Sequence, residues 1–182
     1  MSGALLGAVS QGILWGIMVL GVYITYKLLD IADLTVDGSF ALGGSVCAVL
    51  VVAGVDPLIA VAAAMLAGML AGAVTGFLHT VFEIPAILAG ILTQIALWSV
   101  NLRIMGKSNT PLLQSDTIFS RMTELTGLSS ATASIIVGVI VAVAIIAALY
   151  WFFGTEIGSA LRATGNNEHM IRALGVSTAK TK

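Results

Sequence analysis

Long runs without Asp, Glu, Lys or Arg alternate with short charged segments along this chain. A helix needs about 20 apolar residues to cross the hydrocarbon core of a bilayer. Because lipid offers no hydrogen-bond partner to an open backbone, each run should be helical. The pattern predicts an all-α integral membrane protein with five spans, at about 3–29, 38–55, 57–80, 84–104 and 130–153. Residues 1–153 are thus the predicted transmembrane domain, and residues 154–182 follow it as an extramembrane loop.

The composition excludes several other classes of protein. Hydrophobic residues make up 58% of the chain and charged residues only 9%, against about 25% charged in a soluble domain. The net charge of −1 gives no basic field for nucleic acid. The single cysteine, Cys47, excludes an intramolecular disulfide, and no phosphate-binding loop for ATP is present. We predict no catalytic residues, no metal site and no cofactor.

The second run departs from the pattern of the others. It has only 18 residues, opens with Gly38, and follows Asp30, Asp33 and Asp37. A short, glycine-interrupted segment is typical of a discontinuous helix that lines a transport path, and ionisable groups near membrane depth are usually functional. The alternative is that the carboxylates lie in a wet turn. The candidate solute-path residues are Asp33, Asp37, Ser39, Thr93, Gln94 and Asn101.

Polar and small residues on two other helices have candidate roles. Gln94 and Asn101 share one face of the fourth span, where they would contact a polar solute or hydrogen-bond a neighbouring helix. Gly68, Gly72 and Gly76 line one face of the third span, and this stripe predicts close helix packing.

The tail is the most basic segment, which predicts that it is cytoplasmic and that the amino terminus lies outside. It reads as two short helices with a break at Gly165 and Asn166, where Asn166 is the predicted N-cap. Met170, Ile171 and Leu174 share an apolar face. This amphipathic helix would dock into the groove of a partner or lie on the bilayer.

Three stretches of the chain carry a family resemblance. The stretch RATGNNEHMIRALGV (162–176) resembles the cytoplasmic coupling loop of ABC-transporter permeases of the branched-chain amino acid and ribose importer class. ADLTVDGSFALGG (32–44) and IPAILAGILTQIAL (84–97) are similar to other segments of that class, in the same order. The subgroup most resembled takes up aromatic amino acids or related solutes. Such permeases continue through further spans after this loop, so we expect this chain to be a partial permease.

The resemblance implies a permease subunit in the cell membrane, with ATP hydrolysis on a separate ATPase subunit. It also implies a second permease subunit, an extracytoplasmic solute-binding protein and contact with membrane lipid. The implied contacts with the ATPase are Arg162, Asn166, Asn167, Glu168, Met170, Ile171, Arg172, Leu174 and Gly175.

Two alternatives remain open from the residues alone. A secondary transporter or channel would share the span pattern. A membrane prenyltransferase would use Asp30, Asp33 and Asp37 on one helical face to hold Mg²⁺ against a diphosphate. His79 and Glu83 form either half of a metal site or a helix-end pair, and Asp116, Arg121 and Glu124 would meet a binding protein or solvent.

Overall fold

The computed structural model describes residues 2–28, 30, 33–112, 115–127, 129–173 and 175. Regular structure in this part of the chain is entirely helical: α1 Ser2–Tyr23, a π-helical turn Ile24–Leu28, α2 Thr35–Val52, α3 Pro57–Thr80, α4 Ala86–Met105, α5 Ile118–Thr126, α6 Ser130–Gly154, α7 Glu156–Asn166 and α8 Glu168–Ala173. Five of them, counting α1 together with the π-turn, are long and apolar enough to cross a membrane, which confirms the prediction of an all-α membrane protein with about five spans.

One boundary differs from the prediction in a way that affects the site. The second span begins at Thr35 rather than at Gly38, so Asp37 lies in the first turn of α2. A carboxylate in the first turn is favoured by the positive end of the helix dipole, which explains why the helix extends through it. The broken or short second span is therefore an 18-residue helix that begins with polar residues.

The chain divides into two compact units, and residues 34–133 form one of them. Short connections join α2, α3 and α4 in an antiparallel up-and-down arrangement. Leu42, Ala71 and Leu97, one from each helix, form its buried cluster. Small residues bring the helices close, since a β-carbon at Gly43 would lie 3.5 Å from the Ala64 carbonyl oxygen.

The predicted glycine stripe on α3 has a packing neighbour at one position. A β-carbon at Gly68 would lie 3.9 Å from the Ser39 carbonyl oxygen. Gly72 and Gly76 would meet nothing within 4 Å among the described residues. The close packing predicted for these two glycines therefore has no partner in the part of the chain that the structure describes.

The other unit comprises residues 1–33 and 134–182, with α1, α6, α7 and α8. Helices α1 and α6 meet where a β-carbon at Gly138 would lie only 2.9 Å from Ile13 Cγ2. Glycine at position 138 therefore permits this approach.

Candidate functional site: the amino end of α2 and the extramembrane tail

The first turn of α2 carries polar side chains that bond to both neighbouring helices. The Gln94 amide of α4 donates to a carboxylate oxygen of Asp37 at 3.3 Å. The hydroxyls of Thr35 and Thr75, on α2 and α3, are 2.8 Å apart and buried. Backbone packing is tight here as well, because a β-carbon at Gly38 would lie 3.3 Å from Gln94 Cα. The amino end of α2 is thus fixed between α3 and α4 by polar contacts.

These contacts place the amino end of α2 well inside the length of its neighbours. Gln94 is eight residues past Ala86, or about 12 Å along α4 at 1.5 Å per residue. Thr75 is five residues before Thr80, or about 7.5 Å from the carboxyl end of α3. Helix α2 therefore starts beside the interior of α3 and α4 rather than beside their ends, and Asp37 is exposed there.

The other predicted path residues lie on or next to the same helices. The hydroxyls of Ser39 and Thr93 donate to carbonyls of their own helices, Val36 at 3.1 Å and Ala89 at 3.0 Å. Asn101, two turns beyond Gln94 on α4, has a buried side-chain oxygen with no hydrogen-bond partner among the described residues. Asp33 is half-buried on non-helical backbone just before α2.

The three carboxylates do not share one helical face, so that prediction was wrong. Asp30 has left-handed backbone with φ 53° and lies outside any helix, Asp33 precedes α2, and Asp37 alone is helical. The described residues contain no group of three His, Cys, Asp or Glu side chains placed to hold a metal ion. The Mg²⁺ geometry of the prenyltransferase alternative is therefore not formed by these carboxylates.

The predicted pair of His79 and Glu83 is also not formed as a helix-end pair on α3. Helix α3 ends at Thr80, and Glu83 follows it with φ 55°. The Nδ1 atom of His79 lies 2.8 Å from the Ile84 carbonyl oxygen, so the imidazole bonds to the turn before α4. Its role is to fix the α3–α4 connection.

A hydrogen-bonded elbow joins α6 to the tail. The Thr155 hydroxyl donates to the Phe152 carbonyl at 2.6 Å and accepts from the Gly158 N–H at 3.3 Å, so it caps both helices. Arg162 donates to the Phe153 carbonyl at 2.7 Å. A β-carbon at Gly158 would collide with the backbone of Phe152 and Phe153. The elbow therefore requires glycine at 158 and uses Arg162, predicted to contact a partner, to hold the end of α6.

Helix α8 begins one residue later than predicted. The break lies at Asn167, whose side chain accepts from the Met170 N–H at 3.0 Å, while Asn166 is the last residue of α7. The expectation that Asn166 is the N-cap was wrong, because α7 continues through Gly165. Gly175 has φ 86° and its N–H donates to the Arg172 carbonyl.

The apolar residues of α8 differ in exposure. Ile171 is 6% exposed, whereas Met170 is 52% exposed. Arg172 is exposed, as is Asn166. Leu174 and the Glu168 side chain lie outside the described residues. Met170 is therefore a large apolar side chain of α8 that the structure leaves accessible to a partner.

The predicted binding-protein surface contains an ion pair. Arg121 of α5 lies 2.9 Å from Asp56, which caps α3 by accepting from the Leu58 N–H. The Leu58 N–H, with Arg121, holds the pKa of Asp56 below its usual value of 3.8. Asp116 and Glu124 are exposed. The pair ties α5 to the turn between α2 and α3.

Sequence reasoning missed Thr35, Thr75, Thr155 and Gly158. A sequence signal exists for Thr75, since it lies seven residues after Gly68 and so on nearly the same face of α3. For Thr155, the signal is a Thr immediately after an aromatic-ended span and three residues before a glycine. Neither signal identifies the bonded partner.

These features define the class of polytopic α-helical membrane proteins, here with a short second span and a hydrogen-bonded helical tail. The family model for the permease component of branched-chain amino acid transport systems matches residues 4–182. The chain belongs to this family of ABC-type transport permeases. No solved structure matches it.

Three known proteins are similar to this chain over most of its length. A tyrosine transport system permease protein of Clostridioides difficile is 40% identical over 182 residues, which is 100% of this chain and 58% of that protein. An uncharacterised protein of Rickettsia prowazekii is 37% identical over 116 residues, 64% of this chain and 41% of that protein. The ribose import permease protein of Escherichia coli K12 is 31% identical over 152 residues, 82% of this chain and 46% of that protein. The chain spans about half the length of these relatives.

Proposed function

We propose that this chain supplies part of the solute path of an ABC-type importer, with an aromatic amino acid as its substrate. The observation that carries the proposal is the amino end of α2, where the exposed carboxylate of Asp37 lies beside Gln94, about 12 Å along α4. Helices that begin at membrane depth bind polar solutes in many transporters. The tyrosine permease among the relatives supports the choice of substrate.

The chemistry of this end of α2 fits a zwitterion. The carboxylate of Asp37 would attract the ammonium group of an amino acid. The first-turn N–H groups of α2 and the positive end of its dipole would attract the carboxylate. Gln94 holds the Asp37 side chain in place while leaving it exposed.

Replacement of Asp37 by Asn in the intact importer tests this role. The amide keeps an oxygen that accepts from Gln94 but removes the charge, so we expect uptake of radiolabelled tyrosine to fall at least tenfold. Association with the ATPase should be unchanged. Glu83→Gln, at an exposed carboxylate in the turn between α3 and α4, is the matched control and should transport normally. Wild-type uptake in Asp37→Asn would assign the carboxylate to a passive turn.

The tail is the second part of the proposal. We infer that residues 154–182 lie in the cytoplasm and that α8 docks into a separate ATPase subunit, with its exposed Met170 in the contact. The elbow at Thr155 and Arg162 supports this, because it ties the end of a span to an extramembrane helix. The same proposal includes a second permease subunit and an extracytoplasmic solute-binding protein.

Co-purification of the ATPase with the permease from membranes tests the docking. Met170→Glu should abolish it, since an unpaired charge buried in an interface costs several kcal/mol. Arg172→Ala should have little effect because exposed ion pairs contribute about 0–1 kcal/mol. Leu174→Glu should also abolish co-purification, because the sequence predicts that Leu174 lies on the apolar face of this helix. ATPase binding retained in both glutamate variants would leave the tail as a membrane-surface helix and favour a secondary transporter or channel.

A further inference from the structure

An apolar cleft opens between the carboxyl ends of α1 and α6. Its volume is about 560 Å³, within the range of small-molecule sites of about 300–1,000 Å³. The lining comes from α1, the π-turn, α6 and α7: Leu20, Tyr23, Ile24, Leu28, Ile146, Leu149, Tyr150, Phe153, Gly154 and Arg162. Nine of these ten residues are uncharged, and none is acidic.

The π-helical turn at Ile24–Leu28 shapes one wall of this cleft. A π-turn holds an extra residue, so it widens the helix and redirects its side chains. The Thr25 hydroxyl bonds to the Val22 carbonyl at 3.1 Å within this distorted segment. Ile24 and Leu28, the first and last residues of this turn, both line the cleft. Turns of this kind are frequent at functional sites.

The mouth of the cleft carries positive charge. Arg162 reaches it from α7, and the bond from Arg162 to the Phe153 carbonyl uses one of the five N–H donors of the guanidinium. Within the described part of the chain no further hydrogen bond of Arg162 is found. Lys27 lies in the same π-turn and is exposed. Arg162 therefore offers donors to an anion at the mouth, above a wall that is mostly apolar.

The position of the cleft decides what kind of ligand it takes. The candidate spans Ala4–Leu28 and Ser130–Gly154 both end here, so we expect Arg162 and the exposed Tyr150 at the level of the lipid headgroups. Basic pockets between transmembrane helices bind anionic headgroups. We propose that this cleft binds one anionic phospholipid, with an acyl chain along the Leu149 wall and the phosphate at Arg162. This inference does not depend on the transported solute or on the ATPase.

Native mass spectrometry of the purified chain, with phosphatidylglycerol or phosphatidylcholine added, tests the site. One phosphatidylglycerol should stay bound preferentially. Arg162→Gln should lower that preference about fivefold, the effect of one basic residue near an anionic headgroup, and Arg162→Lys should restore most of it. Arg172→Gln, which removes a cation from the same tail outside the cleft, should leave the preference unchanged. An equal loss in the Arg162 and Arg172 glutamine variants would reduce the effect to general surface charge and overturn the proposal.

A second pair of variants tests the acyl-chain wall. Leu149→Trp fills the cleft and should reduce retention of phosphatidylglycerol, whereas Ile140→Trp on the outward side of the same helix should not.

Thermal unfolding of the unmodified chain gives a measurement that needs no variant. Phosphatidylglycerol should raise the unfolding temperature more than phosphatidylcholine. Equal stabilisation by the two lipids, or unchanged retention in Leu149→Trp, would show that the cleft is not a lipid site.

Discussion

The spans of the two units are held by different kinds of contact. In residues 34–133, the most apolar stretches of α2, α3 and α4 are 28%, 17% and 22% buried, and hydroxyl, amide and carboxylate side chains bond between helices. In the other unit, the corresponding stretches of α1 and α6 are only 0% and 6% buried. There the elbow between α6 and α7 is held by hydrogen bonds from Thr155 and Arg162.

The difference shows where each unit is fixed in one conformation. Lipid tails are as apolar as leucine, so apolar spans gain little from meeting one another, and small residues and polar bonds decide which helices associate. The unit of residues 34–133 has both close contacts at small residues and polar bonds between helices. The first and last spans have one close glycine contact, at Gly138, and leave an open cleft near their carboxyl ends. We therefore expect substitutions at the elbow to destabilise one unit, and substitutions where α2 contacts α3 and α4 to destabilise the other.

The largest effect is expected at the elbow. Gly158→Ala places a β-carbon against the Phe152 backbone, and such overpacking costs about 3 kcal/mol where a backbone cannot yield. Helix α7 should detach, and tryptic cleavage after Arg162 should accelerate about a hundredfold. Gly154→Ala, four residues earlier in open space, is the matched control and should cleave at the wild-type rate. Equal cleavage rates in both variants would contradict the tight contact at 158.

Two alanine substitutions in α2 test its packing. We expect them to change the stability in opposite directions, and by less than Gly158→Ala does. Gly38→Ala meets Gln94 Cα at 3.3 Å and should destabilise the protein by about 2 kcal/mol. Gly44→Ala on the same helix meets nothing within 4 Å and should stabilise it by about 0.5 kcal/mol, because alanine loses less backbone freedom than glycine. Unfolding in mixed micelles measures both. Equal stability of the two variants would argue against close contact between α2 and α4.

The buried hydroxyl pair should contribute less. Thr75→Val removes the bond to Thr35 at nearly constant volume, and interhelical hydrogen bonds in membranes are worth about 0.6–1.7 kcal/mol. Thr80→Val, whose hydroxyl bonds to Gly76 of its own helix, should cost less. The same micelle titration compares them, and a larger loss in Thr80→Val would contradict the bridging role of Thr75.

The smallest effect is expected for Asp56 and Arg121, which are exposed. Because the folded protein lowers the pKa of Asp56 below 3.8, its contribution is present above that pH and is lost as the pH falls through the folded-state value. The stability difference between wild type and Asp56→Asn should therefore shrink below about pH 4. Asp116→Asn serves as the control. A difference that stays constant through this acid range would show that the ion pair does not contribute to the stability of the unit.

The sequence by itself determined the number, order and approximate bounds of the spans. The reason is physical: the bilayer sets the apolar length of a helix, and an unsatisfied backbone in lipid is too costly for any other structure. The sequence also showed that the second apolar run is short and follows three carboxylates. The capped, amphipathic character of the tail could also be read from residues close together in sequence.

Tertiary structure alone decided which residues meet. Asp37 and Gln94 are 57 positions apart, and no periodicity specifies that the carboxylate of one helix accepts from the amide of another. The depth of the amino end of α2 follows from those contacts and not from the length of its apolar run. Arg162 illustrates the same limit, because a sequence motif gives a cation in a loop, while only the folded elbow places it on the Phe153 carbonyl at the mouth of a cleft. Local patterns fix helices because their hydrogen bonds are local, whereas the partners of polar side chains depend on how those helices pack.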